Sequence, residues 1–404
     1  MQPYINSYSV DLIIDVKNQF ISANVLFNYH CKEFATNELK LYIYKDITID
    51  KICSDREMIY QVDEEVTDWC PFILESKLIK ITFGKAIAIG ENININFQYK
   101  GHISLLTKYG INRISMDWVE LGLYSPWFPI VESLEAALFN VNIKIDKDYE
   151  VVNSKKLRDT FVLNKTKPYC DCSIICSNRF SIIREEVCNL VVNTYFIDYR
   201  DREFAMDIAN YSKLIFNKYF NFGKIGEKEL SIVLLPREEG GGYCRPNLVV
   251  LTTGNYSNNK IGYFKYLAHE LAHLWWCKAN SNSWEDWLNE SFAEYSALIV
   301  LREVFGEEEF ATRIEKYKIK AEGLPAIEGI DRGHDKAYEV LYIKGSYLLY
   351  ELEKTIGREK FIELLNIIHT KDIDNTDKFL KELESYTNEE IKDEFKLLLS
   401  KSKV

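Results

Sequence analysis

Tyr263-Phe264-Lys265-Tyr266-Leu267-Ala268-His269-Glu270-Leu271-Ala272-His273-Leu274-Trp275-Trp276-Cys277-Lys278 holds no Pro or Gly that would interrupt a helix. On such a helix His269 and His273, four residues apart, stack on one face, where two imidazoles can take adjacent corners of a tetrahedral zinc. Glu270 follows His269 directly and is placed to reach a water held at that metal rather than the metal itself. A second helix opens at Ser283-Trp284-Glu285-Asp286 with the look of a capping box and runs through Trp287-Leu288-Asn289-Glu290-Ser291-Phe292-Ala293-Glu294. Glu290 is the natural third ligand, leaving a fourth position open. Glu294, one turn on, faces the same way and can accept the second ring N–H of a ligating histidine.

Outward from these helices the pattern changes twice. Before about residue 188 the chain reads as strands, most clearly at Gly90–Lys100, where Ile93, Ile95, Phe97 and Tyr99 alternate with Asn and Gln. Shorter runs at Val10–Val16, Phe20–Tyr29, Leu39–Ile49, Leu78–Phe83 and Val141–Ile145 repeat the signal. Residues 1–188 are therefore expected to form an antiparallel all-β domain, and 189–404 an α+β, mainly helical domain. In the latter, Phe204–Phe220 reads as an amphipathic helix, Leu230–Leu235 as a buried strand, and Leu248–Leu251 as a second strand that could bind an extended peptide by strand addition.

Composition narrows the function classes. With 50 basic against 61 acidic residues the net charge of -11 opposes binding to nucleic acid or anionic membrane, and no basic patch offsets it. There is no signal-like start and no apolar run of membrane-span length, so a cytosolic protein is expected. Nine cysteines, an odd number spread over a long chain, argue for a reducing compartment rather than a disulfide framework. Cys170, Cys172 and Cys176 share strand parity and read as small residues on a sheet face.

The motifs His269-Glu270-Leu271-Ala272-His273, Trp287-Leu288-Asn289-Glu290 and Tyr342-Ile343-Lys344-Gly345 resemble the gluzincin aminopeptidases, the group of alanyl aminopeptidase and leukotriene A4 hydrolase. The resemblance implies a saddle-shaped β domain followed by a thermolysin-like catalytic domain, one zinc per chain and a peptide substrate. It also implies that Tyr342 hydrogen-bonds the oxyanion, with Tyr338, one turn earlier, as the fallback. Three departures accompany it. The interval from His273 to Glu290 is short for the family, with the shortening in the loop-like stretch Cys277–Ser283, and Ser291 stands where the family usually has Gly.

The second departure bears on substrate choice. The stretch matching the family's substrate-binding edge strand is Gly241-Gly242-Tyr243-Cys244-Arg245, with Cys244 in place of the glutamate that grips a free N-terminal ammonium. A thiol cannot replace that carboxylate, and a guanidinium beside it would repel the amine. Atypical substrate selection is expected, unless Glu120, Glu238 or Glu239 supplies the missing charge and keeps a true aminopeptidase; a non-catalytic peptide-binding module is the remaining alternative. Third, the stretch after Tyr342 is short for the helical domain that usually caps the family's cleft, which implies an open cleft or a partner subunit covering it.

Overall fold

The computed structural model describes residues 5–103, 110–237, 241–254 and 259–402. The expectations for Glu238 and Glu239 lie outside the described residues. The chain divides into two compact units, one of Met1–Ser181, Phe196–Tyr199 and Leu235–Gly241, the other of Ile182–Tyr195, Arg200–Leu234 and Gly242–Val404.

The first unit is built on a seven-stranded sheet in the order Lys155–Leu157, Thr160–Tyr169, Ala137–Lys144, Asn6–Asp15, Phe20–His30, Asn92–His102, Ile47–Ser54. The alternation read from the sequence places Ile93, Ile95, Phe97 and Tyr99 on the buried face of Asn92–His102. Tyr8 shows how the aromatic residues fill this core. It is paired in register with Phe27 on one neighbouring strand and Phe139 on the other, and its ring stacks on both, at 4.3 and 4.9 Å between centroids. The pair Asn6–Asp15 with Ala137–Lys144 runs parallel in an otherwise antiparallel sheet. The run Leu39–Ile49 is two strands, Thr36–Tyr44 and Ile47–Ser54, separated at Lys45-Asp46 and assigned to different sheets. Cys172 and Cys176 are fully buried in this core, as apolar packing residues.

Among the described residues the second unit combines a five-stranded sheet with eight α-helices. The sheet order is Ser181–Val187, Leu190–Phe196, Glu229–Leu235, Leu248–Thr252, Tyr243–Arg245, so the hairpin around Cys188 is part of it. Leu248–Thr252 is flanked on both sides, which corrects the expectation that it adds a peptide strand: the hairpin folds Tyr243–Arg245 back onto it and uses its edge. The terminal strand is Tyr243–Arg245.

The helices are α1 (Arg202–Tyr219), α2 (Lys260–Ala272), α3 (Trp287–Phe305), α4 (Glu307–Ala321), α5 (Gly345–Ile356), α6 (Arg358–Thr370), α7 (Thr376–Tyr386) and α8 (Glu389–Ser400), with a π-helical turn at Glu339–Lys344 that runs into α5. Nearly every residue of α3 from Trp287 to Arg302 is buried, so it is the central helix of this unit rather than an amphipathic surface one. Gly306, at φ 93°, lets the chain leave α3 and enter α4 without a linker, a conformation strained for residues with a Cβ. No helix among the described residues is long and apolar enough to cross a membrane.

Candidate metal centre and active site

Helix α2 starts where Asn259 caps it, its side chain accepting from Gly262 N at 3.0 Å, and it carries His269 and Glu270 in its last turn. His273 sits at the C-cap and still has helical dihedrals, so its ring stays on the face of His269. The opening of α3 is offset from the sequence reading: Ser283 caps a short 3-10 turn, Trp284–Asp286, and α3 follows from Trp287. The short loop between the two helices is held by Asn289, which donates to Ala279 O and accepts from Ala279 N.

The ladder between α2 and α3 is the core of the site. His269 Nε2 lies 3.2 Å from His273 Nε2, and Glu290 Oε2 lies 3.3 Å and 3.4 Å from those two nitrogens. Both Nδ1 atoms are engaged on the far side, His269 with Glu294 Oε2 at 2.9 Å and His273 with the carbonyl oxygen of Trp276 at 3.0 Å. With Nδ1 donating to those acceptors, each imidazole turns an Nε2 lone pair inward. Glu290 Oε2 is buried and has no hydrogen-bond partner among the described residues. Three possible ligand atoms thus converge on one point, an arrangement that suits a cation between them.

A tetrahedral zinc bound at about 2.0–2.2 Å sets its ligand atoms about 3.3 Å apart. The three spacings fit that ion, and these residues are the one metal-competent group of His, Cys, Asp and Glu side chains among the described residues. The electrostatics agree. Burial disfavours the imidazolium form of His269, but the Glu290 and Glu294 carboxylates beside it outweigh that and raise its pKa to about 10. Glu290 is held far below the usual carboxylate range, since the imidazoles outweigh its burial.

Glu294 takes the role expected from its spacing, and two partners escaped the sequence reading. Its other oxygen receives the Lys265 ammonium and the Tyr317 hydroxyl from α4. Lys265 continues the spacing of His269 and His273 backward by one turn, a signal open to reading; Tyr317 offered none.

Glu270 is only 6% exposed, and burial, more than the neighbouring charges, raises its pKa above the ordinary carboxyl value. Tyr342 stacks near the His269 ring, 5.6 Å between centroids and 12° between planes. Burial and the Glu290 charge keep its hydroxyl protonated well past the ordinary range, so it remains a donor. Tyr338, with its ring 4.4 Å from that of Tyr342, is 59% exposed. Arg332, which donates through Nε to buried Asp286 at 2.9 Å, has its guanidinium 6.0 Å from the Tyr342 ring.

The π-turn is fastened to α3. Ser291 Oγ donates to Leu341 O, and the single Ser346 hydroxyl proton lies within reach of two carbonyls, Tyr342 O and Ser291 O. A Cβ on Gly345 would collide with Ser291 Oγ, so the glycine is required by the close approach of the two segments.

Of the expected substrate segment, Gly241 is exposed, and Gly242 has no room for a side chain beside Tyr266 and the Val250 carbonyl. Tyr243, Cys244 and Arg245 form the terminal strand, all three buried. Burial raises the Cys244 thiol well above its ordinary pKa, with Glu270 adding to the effect, so it is neutral. Arg245 is 9% exposed, stacks over Tyr243 at 4.7 Å, donates to Cys244 O at 2.8 Å, and is close enough to draw the Glu270 pKa down. Glu120 belongs to the other unit, where it is fully buried with Arg237 Nε 3.6 Å from its carboxylate.

Two histidines a turn apart and a glutamate on the following helix form a group that could hold one metal ion, with a further carboxylate, Glu270, next to His269 in the chain. Residues 239–396 match the model of the peptidase family M1 domain. Among curated proteins, leucine aminopeptidase 2 of Lodderomyces elongisporus is 29% identical over 196 residues, 39% of this chain and 30% of that protein. Leucine aminopeptidase 2-1 of Meyerozyma guilliermondii is 30% identical over 186 residues, 42% of this chain and 30% of that protein. The matched part thus spans less than a third of either relative's length.

Among solved structures, an M1 zinc metallopeptidase from Deinococcus radiodurans superposes with a TM-score of 0.72 at 13% identity, covering 99% of this chain and 95% of that one. Native leukotriene A4 hydrolase from Saccharomyces cerevisiae gives 0.76 at 17% identity, covering 98% and 68%. At these identities the likeness establishes the fold, a sheet-rich N-terminal domain followed by a helical one.

Proposed function

We propose that the protein is a zinc-dependent peptidase that does not select substrates by a free N-terminus. The observation that carries the first part is the trio of His269 Nε2, His273 Nε2 and Glu290 Oε2 at 3.2–3.4 Å, each imidazole with its Nδ1 already engaged. These atoms would hold one zinc per chain, which would supply Lewis acidity at the substrate carbonyl. Glu270, made a stronger base by its burial, takes the proton of the attacking water and passes it to the leaving amine. Tyr342 donates its hydroxyl to the oxyanion that forms as the carbonyl is attacked. A non-catalytic binding module would have no use for that general base. The nine cysteines are free thiols, which fits a reducing compartment, and we assign the protein to the cytosol.

Selectivity follows from the terminal strand. A neutral thiol and a buried guanidinium stand at Cys244 and Arg245, so this strand offers a cation where an ammonium would need an anion. The Glu120 charge is matched by Arg237. Matched peptides with free and acetylated N-termini test the reading. The acetylated or acidic form should be cleaved at least as fast as the free amine, with both rates abolished by a zinc chelator. A clear preference for free N-termini would make the protein a true aminopeptidase, and its loss in Glu120→Gln would identify the anchor.

A further inference from the structure

We infer that Lys344 is a positioning residue for Tyr342, holding the π-turn at the junction of two helix ends. The inference rests on the peptidase reading above. Lys344 is fully buried, which is rare for lysine without a paired charge. Its Nζ donates to Pro325 O at 2.7 Å, Lys401 O at 2.7 Å and Leu324 O at 3.3 Å, three backbone carbonyls for three N–H donors. Burying an ammonium without a carboxylate is costly, and an apolar residue of similar length would serve packing better. What the ammonium adds is a fixed geometry.

The carbonyls explain the location. Lys401 follows the last residue of α8, and Leu324 and Pro325 lie three and four residues beyond Ala321, the end of α4, so the cation ties together the segments that follow two helices through carbonyls that no helix uses. The same junction is closed by Ile327 N and Glu328 N, both donating to Leu399 O. On its other side the π-turn is stitched to α3 through Ser291 and Ser346. The Tyr342 backbone is thus held between the helix carrying Glu290 and the Lys344 junction. Releasing the junction shifts the phenol and leaves His269, His273 and Glu290, which sit on α2 and α3, in place.

A double-mutant cycle of Lys344→Met and Tyr342→Phe tests this, with kcat, KM and bound zinc measured for each protein. Tyr342→Phe alone should lower kcat by about 10²–10³, the usual effect of losing one oxyanion donor. Lys344→Met alone should lower kcat by about tenfold to a hundredfold, the scale of a misplaced catalytic group, with KM and zinc content unchanged. In the Tyr342→Phe background the Lys344→Met change should add less than about twofold, because both act through one hydroxyl. Lys344→Gln, which keeps amide donors, should restore part of the rate, and it runs through the same cycle should Lys344→Met fail to fold. A wild-type rate for the lysine variants, equal factors in both backgrounds, or loss of zinc overturns the inference. Failure of the peptidase reading is separate: the wild type would then show no zinc-dependent hydrolysis.

Discussion

Glu270→Gln is expected to keep its zinc and lose peptide hydrolysis by about 10⁴-fold, the upper range for a group that serves as base and then acid. The amide matches the carboxylate in size, so the buried site, only 6% exposed at this residue, has no reason to collapse. It cannot accept the water's proton. Metal analysis and steady-state rates on the same preparation separate chemistry from metal loss. Substantial residual activity would remove Glu270 from the mechanism.

His273→Ala removes one of three ligand atoms and also the ring that the Trp276 carbonyl orients. Affinity for zinc should fall by more than the roughly 10–100-fold that loss of an outer partner costs, and hydrolysis should vanish with it. Competition with a chelator of known affinity measures the first effect. The fold should persist, because α3, the central helix of this unit, is packed through Trp287, Phe292 and Phe379 rather than through the metal site. Unchanged zinc affinity would show that the ion, if bound, sits elsewhere.

The parts of the site that obey helical periodicity are legible in the amino-acid sequence. His269, His273, Glu290 and Glu294 all follow from steps of four residues on two helices, and the fold brings the four together. What escaped lies outside such steps. The Trp276 carbonyl carries no side-chain identity to read. Tyr317 reaches Glu294 from a third helix, and Arg332 comes from an irregular segment. The π-turn at Glu339–Lys344 inserts a residue into the helical period, so Tyr342 could be placed by motif alone and the buried Lys344 not at all.

In the β domain the same logic holds. Asn92–His102 has one buried face and an alternating sequence, whereas Met58–Thr67 is exposed along most of its length and gives no period of two. Nothing local in Leu248–Thr252 signals that it is flanked, since that depends on a hairpin partner and on Glu229–Leu235 from earlier in the chain.

The proposed substrate selectivity rests on the terminal strand. Arg245 is buried, not turned to solvent, and its electrostatic reach to Glu270 ties it to the catalytic neighbourhood. A preference for blocked or acidic substrates is the outcome we propose for that arrangement.

The central claim is that three ligand atoms and one general base form a working zinc centre, and metal dependence of hydrolysis tests it most directly. Purified protein should contain one zinc per chain, lose peptide hydrolysis when the metal is stripped by chelation, and regain it on addition of one equivalent of zinc. Protein that takes up no zinc on reconstitution, or that hydrolyses peptides equally well with the metal removed, would contradict the account.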